Sequence, residues 1–390
     1  MFRSMPFILM IVIAAVVLAN PYLPLEAKQI LYAMSLTVKS GIIFILPLII
    51  FSLLFKTMVG LASRATTVIT MILMCLVCSS SLATFLSHFV GEWVYQMDLS
   101  IIQPKGVAEL TPFWSWQLPK WIDNNKAMFS GILLGIIFGN FKTHLGQLIA
   151  VKLDFITSKI LKSFTYFIPI FVAGFVVKLQ YDGVIQMIIK DYAVIFIVVG
   201  LAQFSYILFA YAALNNFNLR AMMVCVKNIL PAAMAGFSTM SSAAVMPLTI
   251  VGVSNNAVNK DLARSVVPST VNIHLIGDCI AIPVFAYALM KSFGMSEPTL
   301  ATYLVFVFYF VIAKFSVAGV PGGGILVMLP VLENYLGFNA EMLSLITALY
   351  VLFDPVITTA NVLGNGAFAK LIDKLVLLRL WKANVQTQEI

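Results

Sequence analysis

Two stretches decide how this chain folds. The first is Gly236-Phe-Ser-Thr-Met-Ser-Ser-Ala-Ala-Val-Met-Pro-Leu-Thr249, and the second is Ala318-Gly-Val-Pro-Gly-Gly-Gly-Ile-Leu-Val-Met-Leu-Pro330. Both lie in long apolar surroundings, and neither reads as a simple membrane helix. The first is crowded with small and hydroxyl residues, which allow a tight tip and can replace lost backbone hydrogen bonds. The second holds three consecutive glycines, which permit backbone that other residues resist. Non-helical backbone at membrane depth persists only when it is buried in protein or faces water. Each stretch is therefore expected to be the tip of a re-entrant hairpin, the two hairpins covering about 221–253 and 303–336.

Each hairpin adjoins a segment with a polar break. One reads Asn272-Ile-His-Leu-Ile-Gly-Asp278, and the other runs from Asp354-Pro355 to Gly364-Asn365. Asp354, Thr358, Asn361 and Asn365 recur at spacings of four, three and four, which puts them on one helix face. Pro355 has no N–H and frees a carbonyl one turn earlier. Two hairpin-plus-helix units in one half of the chain suggest an inverted repeat. Paired interrupted segments of this kind point to a solute site at the repeat interface.

The rest of the sequence supports a membrane setting. Of the 390 residues, 61% are hydrophobic and 10% charged, and the mean hydropathy is +1.00. Soluble domains are about half apolar and a quarter charged, so a soluble enzyme is excluded. Disordered chains are excluded too, because they lack hydrophobicity. No alternation of the β-barrel kind appears. The net charge of +8 reads as basic loops, not as a nucleic-acid partner. Apolar runs near Pro6–Ala19, Gly41–Ala62, Val68–Val90, Met128–Phe141, Phe164–Val177, Met187–Ala213, Ser265–Met290 and Glu341–Phe353 give about eight membrane helices beside the two hairpins. The fold class expected is an all-α polytopic membrane protein. The first run lacks a convincing cleavage site and reads as a retained helix. Cys75 and Cys78 form a C-x-x-C that reads as small core residues of a membrane helix, not as a redox pair.

With the N-terminus inside and the hairpins entering from opposite sides, 14 Lys and Arg fall inside and seven outside. That bias supports cytoplasmic termini. Lys39 and Lys56 are expected to snorkel from a long second helix. The deep ionisable set is then Asp278, Asp354 and Lys314, with His274 nearby. A mid-bilayer charge costs about 2.5–3.5 kcal/mol on insertion scales, so such residues mark function by default.

The arrangement resembles the dicarboxylate/amino acid:cation symporters, the glutamate-transporter family. The carrying motifs are Ser241-Ser242-Ala243-Ala244-Val245-Met246-Pro247-Leu248-Thr249, Ala318-Gly319-Val320-Pro321-Gly322-Gly323-Gly324, and Asp354 through Asn365. The match is strongest over residues 236–375. The resemblance implies an elevator transporter with inverted repeats, assembled as a homotrimer. Scaffold helices one and two would cover 1–64, and scaffold helices four and five 127–185. The transport domain would combine helix three (65–97) with residues 186–390, and 98–126 would be an extracytoplasmic loop. Ser241 and Ser242, with Val320, Pro321, Gly322 and Gly323 of the outer hairpin, would meet the substrate carboxylate and gate it. Asp354 would bind the amine, with Thr358 and Asn361 completing the main-chain contacts.

The departures from the family pattern are informative. Where the family carries a carboxylate-reading arginine, this chain has Ile357. An arginine fork is the usual bidentate partner of a carboxylate, so a neutral amino acid is favoured over glutamate or a dicarboxylate. The family's N-M-D-G-T reads His274-Leu275-Ile276-Gly277-Asp278, and its final aspartate is Asn365. Two expected sodium-binding carboxylates are therefore gone, leaving at most a residual cation site at Thr270, His274, Asn361 and Asn365. Lys314 falls close to a family sodium position, and an ammonium there could replace the ion, paired with Asp278 or with carbonyls near Thr270–His274. Proton coupling or sodium-independent transport follows as the expectation, with H+ or Na+ as the ion and no cofactor. The partners are a small solute and the lipid of a bacterial inner membrane. The alternatives are an ordinary sodium- or proton-coupled dicarboxylate symporter, an uncoupled sensor or channel, and an intramembrane aspartyl protease built on Asp278 and Asp354. The tryptophans of 98–126 read as interfacial anchors.

Overall fold

The computed structural model describes residues 5–62, 67–97, 110–119, 121–183, 185–317, 319 and 321–388. Among these the chain is all-helical. The first helices are α1 (Met5–Ala19), α2 (Leu25–Ala62), α3 (Thr67–Tyr95), α4 (Asn124–Phe141), α5 (Thr143–Tyr181) and α6 (Ile185–Leu214). Then follow α7 (Leu219–Thr239), α8 (Met246–Asn256), α9 (Lys260–Thr270), α10 (Ile276–Ser292), α11 (Leu300–Lys314), α12 (Gly323–Leu336) and α13 (Ala340–Gln388). Among the described residues, five helices are long and apolar enough to cross a membrane, and five shorter apolar ones accompany them. This is a polytopic membrane architecture.

The helices pack as two groups. In the first, α2 packs chiefly on α4 and α5, and α1 on α5. Small residues let these backbones approach: a Cβ at Gly174 would strike the Leu31 carbonyl. In the second, α10 packs on α3, α6 and α13, while α13 also takes α6, α7, α8 and α9. Every residue of α10 from Ile276 to Met290 is buried. α10 and α13 run through the centre of the second group, and the core around them continues into α2 and α5 of the first.

A pair of packed helices forms at each of the two stretches. α7 and α8 are the arms of the first, joined at Met240, whose φ of 53° is left-handed. α11 and α12 are the arms of the second, joined through Gly322, whose φ of 71° suits glycine. The polar break between α9 and α10 opens the helix at residues 271–275. The second expected break does not: α13 is continuous through Pro355. A proline removes one backbone hydrogen bond. Phe353, Asp354, Ile357 and Thr358 around Pro355 are all buried, and this packing holds the axis despite the missing bond.

Three further features take protein partners. The Lys39 ammonium donates to the Ala340 carbonyl at 2.6 Å and to Ser344 Oγ at 2.5 Å. Lys56 pairs with Asp154 at 2.8 Å. The described part of the 98–126 loop straps onto α2. There Trp114 Nε1 donates to Thr37 Oγ1 at 2.9 Å and Trp121 Nε1 to the Phe44 carbonyl at 2.6 Å. Two of the three indole N–H groups are thus engaged by protein.

Candidate functional site

The site grows from the break in the helix at 271–275. Breaking a helix frees backbone groups, and buried ones need partners. Here side chains from other elements supply them. Lys314, at the end of α11, donates to the Leu275 carbonyl at 2.5 Å. Asn361 of α13 accepts the Gly277 N–H at 2.8 Å, and Gln203 of α6 donates to the Gly277 carbonyl at 2.9 Å. A Cβ at Gly277 would run into the Ile357 carbonyl and lie 2.9 Å from Asn361 Oδ1. Glycine is the residue that lets α10 and α13 come this close.

Asp278 follows, in the first turn of α10. It and Lys314 are each 1% exposed, with the ammonium 3.7 Å from Asp278 Oδ2. Asp278 Oδ1 accepts the Tyr350 hydroxyl at 2.9 Å and the Asn361 amide at 3.4 Å. The charge of Asp278 is therefore balanced by Lys314, which also takes the Leu275 carbonyl. The carbonyl lies just beyond the expected Thr270–His274 stretch. Buried charges survive when they are paired and hydrogen-bonded; here the ammonium faces the carboxylate at 3.7 Å, and each group has hydrogen bonds of its own besides.

Asp354 is different. It is 2% exposed. Oδ2 accepts the Gly322 N–H at 2.8 Å, and Oδ1 accepts the Thr358 hydroxyl at 2.9 Å. Among the described residues no cation pairs with it. Its contact to Gly322 ties α13 to the mouth of α12. The two hairpin tips meet beside it. Ser241 Oγ donates to the Gly319 carbonyl and accepts the Ala244 N–H at 3.2 Å, while the Gly319 N–H donates to Asn272 Oδ1 at 3.1 Å. Both tips and the break between α9 and α10 thus share one hydrogen-bonded junction.

The remaining expected residues fall as follows. Ser242, Thr358 and Asn361 are buried, and Ile357 is wholly so. Pro321 and Gly323 flank the left-handed Gly322 at the start of α12. Val320 lies outside the described residues. Thr270 and His274 are joined by a backbone bond of 2.8 Å, and Asn365 donates to the Asn361 carbonyl at 2.9 Å. The buried Oδ1 of Asn365 has no partner. His274 makes no hydrogen bond to Asp278 or Lys314 among the described contacts: its Nε2 is 2.9 Å from Ser79 Oγ and its ring lies on Phe368. Among the described residues no cluster of His, Cys, Asp and Glu could hold a metal ion.

Asp278 and Asp354 bond to separate partners, not to each other. A protease dyad would share a proton between its carboxylates; here one is held by a lysine. Three contributors escaped the sequence reading: Tyr350, Gln203 and Ser79; Asn272 reads there as part of the polar break, without a role. Tyr350 had a signal, since it lies four residues before Asp354 on the same face. Gln203 and Ser79 had none, being polar residues in otherwise ordinary apolar helices.

Comparison with known proteins bears on this geometry. The family model of the sodium:dicarboxylate symporter family matches residues 5–375. Excitatory amino acid transporter 1 of Mus musculus and of Homo sapiens is each 26% identical over 253 residues, which covers 62% of this chain and 45% of theirs. The Ambystoma tigrinum protein of the same name is 25% identical over the same length. The chain spans about half the length of these relatives. The hairpin pair, the junction of their tips and the polar face of α13 are thus set within a sequence whose match runs through nearly its whole length, and the chain belongs to the sodium:dicarboxylate symporter family.

Proposed function

We propose that the protein is a secondary active transporter that moves a neutral amino acid across a bacterial inner membrane. The observation that carries this reading is the charge balance of the site. Asp278 has its own ammonium in Lys314, whereas Asp354 is a buried carboxylate without one. A substrate amine would supply the missing charge. A side-chain carboxylate would meet Ile357, which has no guanidinium to offer. The substrate's own carboxylate would fall to the backbone and hydroxyls at the hairpin tips, around Ser241, Ser242 and Gly322.

Coupling follows the same arithmetic. Lys314 already places a cation against Asp278 and the Leu275 carbonyl, so a mobile sodium ion is not needed there. Asn365 offers a free but uncharged oxygen, a weaker cation ligand than a carboxylate. Sodium-independent or proton-coupled transport is therefore favoured over ordinary sodium symport. The two packing groups suit an elevator, with α1, α2, α4 and α5 as scaffold of a trimer and the rest as the moving part. The names of the relatives point instead to an excitatory amino acid, and the test separates the two.

The test is thermal stability of the purified protein with neutral amino acids, aspartate and dicarboxylates, in sodium or choline, at two pH values. A ligand at a hundred times its dissociation constant adds about 2.7 kcal/mol to the folded state. The expected result is a shift with a neutral amino acid, equal in both salts. A sodium-dependent shift with aspartate or a dicarboxylate would restore the ordinary mechanism. An N-acylated amino acid should give none, because it has no ammonium for Asp354.

A further inference from the structure

A buried histidine outside the Asp354 junction has an unusual set of partners. His88 of α3 is 4% exposed, and both of its ring nitrogens are engaged. Nδ1 is 2.5 Å from the Tyr287 hydroxyl of α10, and Nε2 is 3.3 Å from Glu92 Oε1, one turn along α3. The ring lies on Tyr303 of α11, with centroids 4.6 Å apart. The Tyr303 hydroxyl donates to the Thr84 carbonyl at 2.6 Å, which fixes that ring in place. A Cβ at Gly91 would run into the Tyr287 ring, so glycine there lets Tyr287 reach the imidazole. The two helices that clasp His88 are the ones that carry Asp278 and Lys314 toward their other ends.

These partners suit two protonation states. A neutral imidazole has one N–H and one bare nitrogen, and an imidazolium has two N–H groups. A phenol donates to a bare nitrogen or accepts from an N–H, so Tyr287 serves Nδ1 in either state. A histidine kept neutral would be served as well by a carbonyl at Nε2; a carboxylate adds the charge that balances an imidazolium. Among the described residues no Lys or Arg competes for Glu92. The face of Tyr303 also attracts a cation. Glu92 is the way in, since its side chain is 41% exposed. Tyr95, three residues on, donates to the Met295 carbonyl at 2.7 Å. That contact sets this end of α3 beside the polar turn between α10 and α11. There Lys291 lies over the Tyr95 ring and Glu297 acts on Tyr287. These, with Glu92, Tyr287 and Tyr303, are the titratable and charged groups around His88.

We propose that His88 and Glu92 form a proton-binding site of the moving part, loaded from the outer side. With the N-terminus inside, α3 runs outward and Glu92 lies near its outer end. A proton taken by the Glu92 carboxylate passes to His88 Nε2, while the ring's own proton sits on Nδ1 with the Tyr287 oxygen as its acceptor. The pair thereby goes from net negative to neutral. This rests on the proton-coupled form of the transport proposed above, and it places the coupling proton on α3, not on Asp278 or His274.

The experiment uses the full chain, in detergent and in liposomes. The chain has three histidines, His88, His144 and His274, so ring-labelled histidine gives three NMR signals that His88→Gln and His144→Gln assign. On acidification to about pH 5 the His88 signal is expected to become that of an imidazolium. Glu92→Gln removes the balancing charge and should weaken that proton about tenfold. In liposomes, uptake of a neutral amino acid should carry protons inward, read by a trapped pH dye. His88→Gln should cut that proton movement at least tenfold, and His144→Gln, at an exposed position of α5, should leave it unchanged. Size-exclusion profiles show which variants fold. Glu92 is half-exposed, so Glu92→Gln is expected to fold even where His88→Gln does not. A His88 signal that stays neutral at that pH, or undiminished proton movement in folded His88→Gln, would overturn the site. Uptake without proton movement in the unmodified protein would overturn the coupling and leave the neutral-substrate reading standing. Failure to take up any neutral amino acid would overturn that reading instead, and the NMR titration, which needs no substrate, would still decide whether His88 binds the proton.

Discussion

At the scale of single residues, two carboxylates with different partners carry the argument. Asp278 is balanced by Lys314, so removing one strands the other. Lys314→Met should cost about 3–5 kcal/mol, because an uncompensated charge stays buried. Lys314→Met combined with Asp278→Leu should recover much of that loss. A double-mutant cycle on thermal unfolding checks it; simple addition of the two single losses would show that the pair is not coupled. Asp354 has no cation partner among the described residues, and in the proposed function it answers to the substrate amine. Asp354→Asn still offers an oxygen to the Gly322 N–H, so the fold should hold. Hydrogen bonds to charged groups contribute about 1.5–3 kcal/mol, so amino acid affinity should fall roughly ten- to hundredfold, as read by titration calorimetry.

At the scale of elements, the contact of α10 with α13 depends on glycine. A Cβ at Gly324 would lie 2.5 Å from the Tyr350 hydroxyl and 2.7 Å from Asp278 Oδ2. Gly324→Ala should therefore push α12 off the Asp278 cluster, and Gly277→Ala should push α10 off α13. Overpacking of this kind costs about 1–3 kcal/mol. Gly200 in α6 is the control, since its Cβ would meet only Phe353 at 3.8 Å. Gly200→Ala should be neutral, or stabilising by about 0.5–1 kcal/mol through helix propensity. Melting temperatures of the three variants settle the comparison; equal losses would mean that close approach is not the reason for these glycines.

At the scale of the whole molecule, two lysines span the packing groups. Lys39 of α2 holds Ala340 and Ser344, and Lys178 of α5 lies 3.6 Å from Glu341. Both therefore grip the first turn of α13 from the proposed scaffold. If the second group travels as a unit, these contacts must break in each cycle. Cysteines at 39 and 344, in a chain with its four native cysteines replaced, should join under a short bifunctional thiol reagent. Uptake by reconstituted protein should then drop at least tenfold and return when a cleavable reagent is reduced. Undiminished uptake in the cross-linked protein would rule out the elevator.

The sequence by itself determined the membrane setting, the two hairpins and the polar face of the last helix. Each of these is written locally: a hydropathic run, a cluster of small residues, a spacing of three and four. It also located the deep ionisable set, since a charge in an apolar run stands out against its neighbours. Tertiary structure alone decided who pairs with whom. Lys314 and Asp278 lie on different helices, and their pairing depends on how α11 meets α10. His274 was grouped with them by proximity in the chain, yet it turns to Ser79 and Phe368 because the break at 271–275 redirects it. Pro355 read as a second break, but packing along α13 outweighs one missing hydrogen bond. The partners of Lys39, a carbonyl and a hydroxyl of α13, were likewise decided by packing. So were those of His88, whose ring meets Tyr287 and Tyr303 of two other helices, because residues this far apart in the chain adjoin only where their helices pack.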